Sequence, residues 1–224
     1  MKTTSMNILL IIPGNNTTME IELMEWLPEK SKSTILRVPR GAGLLTSDTI
    51  SDYIETTLKL CENYRNESFD AVAYGCTAAG FILGPDGDKD VSKRIEDTIG
   101  KPVVTTARSM ITSLEEINAK TISLLTPYLD DVNIRLKSFL NSANINVSHF
   151  DSFYASDVHE LAKITSSQVE EKSKKLLEKN VDALFIACSQ LPTKSILGKL
   201  SKEFNKTVYS SIQVTAKRLI NLHH

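Results

Sequence analysis

Apolar positions fall along this chain in short continuous runs that alternate with longer stretches of helical period. The runs Ile8–Ile12, Thr34–Val38, Ala71–Tyr74, Val103–Thr105, Thr121–Leu125, Asn146–Phe150, Ala183–Ala187 and Val208–Ser210 have the length and β-branched content of buried strands. Between them, Ile50, Ile54, Leu58 and Cys61 follow helical spacing behind Thr46-Ser47-Asp48. Ile134, Leu136, Phe139 and Leu140 do the same behind Asp130-Asp131. Strands alternating with helices predict βαβ units and a mostly parallel sheet, with ligands at the carboxyl ends of the strands.

The pattern also repeats. Phe69-Asp70-Ala71-Val72-Ala73-Tyr74-Gly75-Cys76-Thr77 matches Val181-Asp182-Ala183-Leu184-Phe185-Ile186-Ala187-Cys188-Ser189, 112 residues later. Ile12-Pro13 matches Thr126-Pro127 at a spacing of 114, and Gly100-Lys101-Pro102-Val103 matches Asn205-Lys206-Thr207-Val208 at 105. Three landmarks in one order at near-constant spacing imply an internal duplication. The expected architecture is α/β. Two pseudo-symmetric domains each carry a short, mostly parallel sheet flanked by helices, with the active site in the cleft between them. The first half is expected over residues 1–106, completed by the C-terminal segment 208–224, and the second over 107–207.

The 224 residues carry a net charge of −1, which speaks against a nucleic-acid partner. The apolar run at Ile8–Ile12, ended by Pro13-Gly14, is too short for a membrane span of ~20 residues or a signal-peptide core. Three cysteines without a secretion signal fit a reducing, cytoplasmic setting, and none has C-x-x-C spacing. His149 and His159 lack partners at metal-ligand spacing, and His223-His224 are given no role. No metal or cofactor is expected.

Cys76 and Cys188 each end a strand at matched places in the repeat. A thiol where a strand gives way to a helix meets free backbone N–H groups that lower its pKa, and the same groups can hold an oxyanion. Two such thiols facing one ligand from opposite sides suit proton removal and return across a carbon, or thiolate addition to an activated double bond. Cys61, on an apolar helical stripe without a counterpart in the repeat, reads as core. Gly41-Ala42-Gly43 lacks phosphate-loop spacing and reads as a loop near the cleft. Gly84-Pro85-Asp86-Gly87-Asp88 reads as a turn, and Glu170–Lys175 as a solvated helix face. Arg40, ahead of the glycine loop, could meet an acidic substrate, but a surface role is the preferred reading.

These residues resemble the aspartate/glutamate racemase superfamily, and within it the maleate cis-trans isomerase and arylmalonate decarboxylase branch. Pro13-Gly14-Asn15-Asn16-Thr17-Thr18-Met19-Glu20 is similar to the P-x-x-N-T-T-M-E signature of maleate isomerases. Thr126-Pro127-Tyr128-Leu129-Asp130-Asp131-Val132-Asn133 is similar to a T-P-Y-x-x-x-V-N segment of that branch. The resemblance implies that Cys76 is the attacking thiolate and Cys188 the opposing acid/base thiol. Asn16 and Tyr128 would hold a substrate carboxylate, Thr77 and Ser189 would donate backbone N–H groups, and Ala78 and Gln190 would complete the binding set. Arylmalonate decarboxylases carry Gly in place of the first cysteine. Both cysteines are present here, which favours an isomerase.

The expected activity is cofactor-independent isomerisation of a small dicarboxylate, maleate to fumarate first, by a homodimer. An amino-acid (aspartate or glutamate) or hydantoin racemase is the enzymatic alternative. A small-molecule binding protein with structural cysteines is the alternative from another class. One departure stands out: the second substrate-binding Asn of maleate isomerases is missing from Asp151–Val158, where Ser156 is the nearest substitute.

Overall fold

A computed structural model describes residues 5–222; His223 and His224 lie outside the described residues. Its strands are β1 (Asn7–Pro13), β2 (Lys32–Val38), β3 (Ala71–Tyr74), β4 (Val103–Thr105), β5 (Thr121–Thr126), β6 (Asn146–Ser152), β7 (Ala183–Ile186) and β8 (Thr207–Ser210). They form two four-stranded, all-parallel sheets with the orders β2-β1-β3-β4 and β6-β5-β7-β8. The second order repeats the first with every strand shifted by four, as a duplication requires.

The helices of the first half are α1 (Met19–Trp26), α2 (Ile50–Cys61), α3 (Thr77–Phe81), α4 (Gly84–Ile99) and α5 (Thr106–Glu116). Those that follow are α6 (Asp130–Ser142), α7 (Val158–Ala162), α8 (Ser166–Leu177), α9 (Leu197–Phe204) and α10 (Ser211–Asn221). Strand β1 is a continuous apolar run because helices cover both of its faces. Ile8, Leu10 and Ile12 join Ala71 and Ala73 in a core with Met19 and Leu23 of α1 and Ile212, Ala216 and Leu219 of α10. Leu9, Ile11, Val72 and Tyr74 point the other way, into a core that continues through Phe81 and Tyr128 to Leu124 and Phe185 of the second half. Shared apolar packing therefore joins the halves.

The expected boundary at 207/208 falls inside β8. That strand pairs with β7, so residues 208–210 stay with the second sheet, while α10 packs against α1 and α5. Two further details differ from the sequence reading. Gly84–Asp88 is the first turn of α4 rather than a free turn, because a proline without an N–H is tolerated there. Ile134 is 66% exposed, and the buried stripe of α6 runs through Val132, Leu136, Phe139 and Leu140. Cys61 is fully buried on α2, and burial pushes its thiol up to about 12. Among the described residues no helix is long and apolar enough to cross a membrane, and no cluster of His, Cys, Asp or Glu could hold a metal.

Candidate active site

Strands β1, β3, β5 and β7 end around one cavity, with about 30 Å³ open to water centres. That space suits a small anion rather than a nucleotide. Its walls bring together Cys76, Cys188, Asn16, Tyr128, Thr77, Ala78, Ser189 and Gln190, each buried.

Cys76 caps α3 with an extended backbone (φ −98°, ψ 100°), so its side chain stands over the free N–H groups of the first helical turn. Gly75 makes this placement possible: a Cβ there would lie 2.6 Å from Met19 Sδ and 2.8 Å from Ile12 Cγ2. The second half has room for Ala187 at the matching place. Burial pushes the Cys76 thiol above its ordinary pKa. The Arg40 charge, the Ala79 and Ala78 N–H groups and the Tyr53 hydroxyl pull it back.

Cys188 departs from the expected strand-to-helix junction. A tight turn follows it, with Leu191 N–H donating to Cys188 O at 3.3 Å, and the next helix starts only at Leu197. The turn aims Gln190 N–H at Cys188 Sγ, 3.4 Å away. Burial also raises this thiol; the Gln190 N–H and the Tyr128 hydroxyl oppose the rise, the neighbouring Cys76 adds to it, and Arg40 offsets it. Tyr128 lines the cavity with Cys188, whereas the Tyr53 hydroxyl is buried behind Cys76 without a hydrogen-bond partner. Both phenols are themselves held well above their usual range, chiefly by burial.

Asn16 has two jobs. Its Oδ1 accepts from Thr18 N–H at 3.2 Å and Met19 N–H at 3.0 Å, securing the start of α1, and its Nδ2 donates to Ser189 Oγ at 2.9 Å. Nδ2 carries a second hydrogen for a ligand. Beside it, Thr17 N–H donates to Gln190 Oε1 at 3.0 Å, and Thr193 N–H donates to Glu22 Oε1 at 2.8 Å. These bonds stitch the halves at the cavity rim. Thr77 Oγ1 is buried on the cavity wall without a hydrogen-bond partner, an uncommon state that a ligand oxygen would relieve.

Tyr128 is positioned by its own motif. Its carbonyl accepts from Asn133 Nδ2 at 2.7 Å and Ser152 Oγ at 2.6 Å, and its ring packs edge-on against Phe81 at 5.7 Å. The last residue of the T-P-Y-x-x-x-V-N segment therefore ties down the loop that presents the phenol.

Two residues depart from the sequence reading. Ser156 is exposed and gives both its N–H and its hydroxyl to Glu160 Oε2, each at 2.8 Å, so it does not replace the missing Asn. Val158, at the end of that segment, and Leu161, on the helix it opens, line the cavity instead. Arg40, read as a surface residue, lines the cavity, with its Nε on Asn15 Oδ1 at 3.1 Å. Tyr53 was not singled out by the sequence. Its position beside Ile54 on the buried stripe of α2 was the available signal, since a phenol in a core usually needs a polar neighbour.

A family model described as arylmalonate decarboxylase matches residues 11–223. The maleate isomerase of Alcaligenes faecalis is 26% identical, covering 94% of this chain and 88% of its own. A crystal structure of a cysteine variant of the Pseudomonas putida maleate isomerase with maleate has a TM-score of 0.90 at 18% identity, covering 98% of this chain and 92% of that one. A variant of the Nocardia farcinica maleate cis-trans isomerase with a covalently bound succinylcysteine intermediate has a TM-score of 0.87 at 19% identity, covering 97% and 92%. The structural likeness is one of fold: the α/β architecture of two parallel sheets expected from the sequence is the one observed.

Proposed function

The chain belongs to the arylmalonate decarboxylase family, and from that premise we propose that it is a cofactor-independent, two-cysteine isomerase of a small dicarboxylate, converting maleate to fumarate. The observation that carries this reading is the pair of buried thiols, Cys76 and Cys188, on the walls of one small cavity at the strand ends of duplicated halves.

The cavity supplies what each step needs. Cys76 thiolate adds to one alkene carbon; a C–S bond forms, and the π pair moves onto the adjacent carboxylate. Asn16 Nδ2, the Tyr128 hydroxyl and the backbone N–H groups after the two cysteines stabilise that charge. Rotation about the new single bond follows. The pair then returns, the C–S bond breaks, and the trans alkene leaves, with Cys188 carrying the proton if the carbanion is trapped on the way. The succinylcysteine found in the Nocardia farcinica isomerase variant is the kind of adduct this route forms, which supports the reading. Both thiols are present, so the alternative of a decarboxylase, which needs a single protonation, is disfavoured.

The test is an NMR assay in deuterated buffer with maleate, both aspartate enantiomers and a hydantoin in parallel. Fumarate from maleate supports the isomerase. Deuterium at the α-carbon of aspartate or the hydantoin makes the protein a racemase. No turnover together with thiols inert to alkylation makes it a binding protein. The proposal includes a homodimer, tested by light scattering, and a cytoplasmic location, tested by cell fractionation.

A further inference from the structure

We propose that Arg40 anchors the second carboxylate of the substrate and so makes this cavity selective for dicarboxylates, the task for which an Asn was expected in 151–158. This inference rests on the dicarboxylate reading above.

Among the described residues that line the cavity, Arg40 is the one with a permanent charge. Asn15 Oδ1 fixes its Nε, and its two Nη groups make no hydrogen bond or ion pair among the described residues. A guanidinium held at Nε with its forked end unpaired is prepared for two-point contact with a carboxylate. The field of this charge already reaches both thiols, since it opposes the burial of Cys76 and of Cys188. Arg40, Cys76 and Cys188 line one and the same cavity, so a small diacid held at either sulfur shares its space with the guanidinium.

The loop that carries Arg40 also meets the segment that lacks the Asn. Val158 N–H donates to Ala42 O at 3.0 Å, and Gly43 forms a bridge with Asp157. From that segment apolar Val158 reaches the cavity, joined by Leu161 of α7 and by Leu44 and Leu45 of the Arg40 loop. At this end the charged side-chain donor is Arg40, with the amide of Asn15 beside it. The apolar surround weakens solvent screening and strengthens the pair.

Carboxylate capture can be separated from thiol activation by comparing two alkylating agents of one mechanism, iodoacetate and iodoacetamide, with labelling of Cys76 and Cys188 read by peptide mass spectrometry. Loss of Arg40 slows both reagents through the thiol pKa, so their rate ratio isolates the carboxylate contact. In the wild-type protein the iodoacetate-to-iodoacetamide ratio at the cavity thiols is expected to exceed that of a free small thiol by roughly 10-fold or more, the worth of a charged hydrogen bond. R40Q should bring the ratio down to the free-thiol value, and R40K should keep part of it, with far-UV circular dichroism checking that both variants fold. A wild-type ratio no higher than that of the free thiol, an unchanged ratio in R40Q, or failure of either reagent to reach the cavity would each overturn the proposal. Maleate turnover is measured on the same samples. A protein that keeps the iodoacetate preference but does not isomerise maleate retains Arg40 as an anion anchor and loses the isomerase reading. A protein that isomerises maleate without the preference does the reverse.

Discussion

Asn16 donates from Nδ2 to Ser189 Oγ at 2.9 Å, across the cleft and 173 residues away in sequence, while its Oδ1 holds the first turn of α1. One side chain thus fastens a helix start, joins the two halves and presents a donor to the cavity. Substitutions divide these tasks. Ser189→Ala removes the cross-cleft bond alone and is expected to cost about 1 kcal/mol of unfolding free energy. Asn16→Ala also removes the acceptor of the Thr18 and Met19 N–H groups and should cost about 2 kcal/mol. Urea unfolding measures both. Asn16→Ala should lower kcat/KM for maleate well beyond Ser189→Ala, because only it removes the amide donor proposed to meet substrate; equal losses would make Asn16 structural.

The pH profile follows from the buried thiols. Both are raised from an ordinary value of 9.0, so in the free protein both are mainly protonated at neutral pH. The reactive form of the first thiol is its anion. The ascending limb of kcat/KM against pH should therefore extend past pH 9.0, as an apparent value belonging to the coupled pair. A plateau reached by pH 7 would mean that the N–H groups and Arg40 outweigh burial.

Asn133 touches no part of the cavity, yet its Nδ2 holds the Tyr128 carbonyl. Asn133→Ala leaves that carbonyl with Ser152 alone and leaves Thr126 Oγ1 without the Asn133 Oδ1 acceptor at 2.6 Å. The expected cost is about 2 kcal/mol of stability. A fall in kcat should accompany it as the phenol loses its fixed place beside Cys188. Unfolding and steady-state kinetics read the two effects separately.

Asp88 is a buried carboxyl that the chemistry does not use. Its Oδ2 accepts from Thr105 Oγ1 at 3.1 Å, its Oδ1 has no partner, and burial pushes its pKa from 3.8 to about 6. A raised acid pKa means that the folded state binds the proton more tightly. The stability from that proton is full below pH 3.8 and is lost as pH rises through about 6. Asp88→Asn keeps a neutral acceptor for Thr105. Relative to wild type it should gain about 2 kcal/mol between pH 4.5 and pH 7.5 in urea unfolding. A pH-independent difference would contradict the assignment.

The parallel order of both sheets and the strand-end placement of Cys76 were legible because they follow from local patterns. Continuous apolar runs mark doubly covered strands, and the repeat marks equivalent positions. Arg40, Tyr53, Val158 and Leu161 were not legible, because their place depends on contacts between segments far apart in sequence. Arg40 looks like a surface residue until the Gly43–Asp157 bridge draws its loop over the cleft. Val158 and Leu161 look like ordinary helix core until α7 is seen to face the thiols. Asn16 was read as a substrate donor from its motif; that it lines the cavity agrees with its place after β1, whereas its bonds to Ser189, Thr18 and Met19 depend on how the loop folds and were not legible.

The central claim is that two cavity thiols, without a cofactor, carry out the cis-trans exchange. It is tested most directly by following maleate by NMR with wild-type protein, Cys76→Ser and Cys188→Ser, each shown to be folded. The account predicts fumarate from the wild type and almost none from either variant. Near-normal fumarate formation by either serine variant would contradict it.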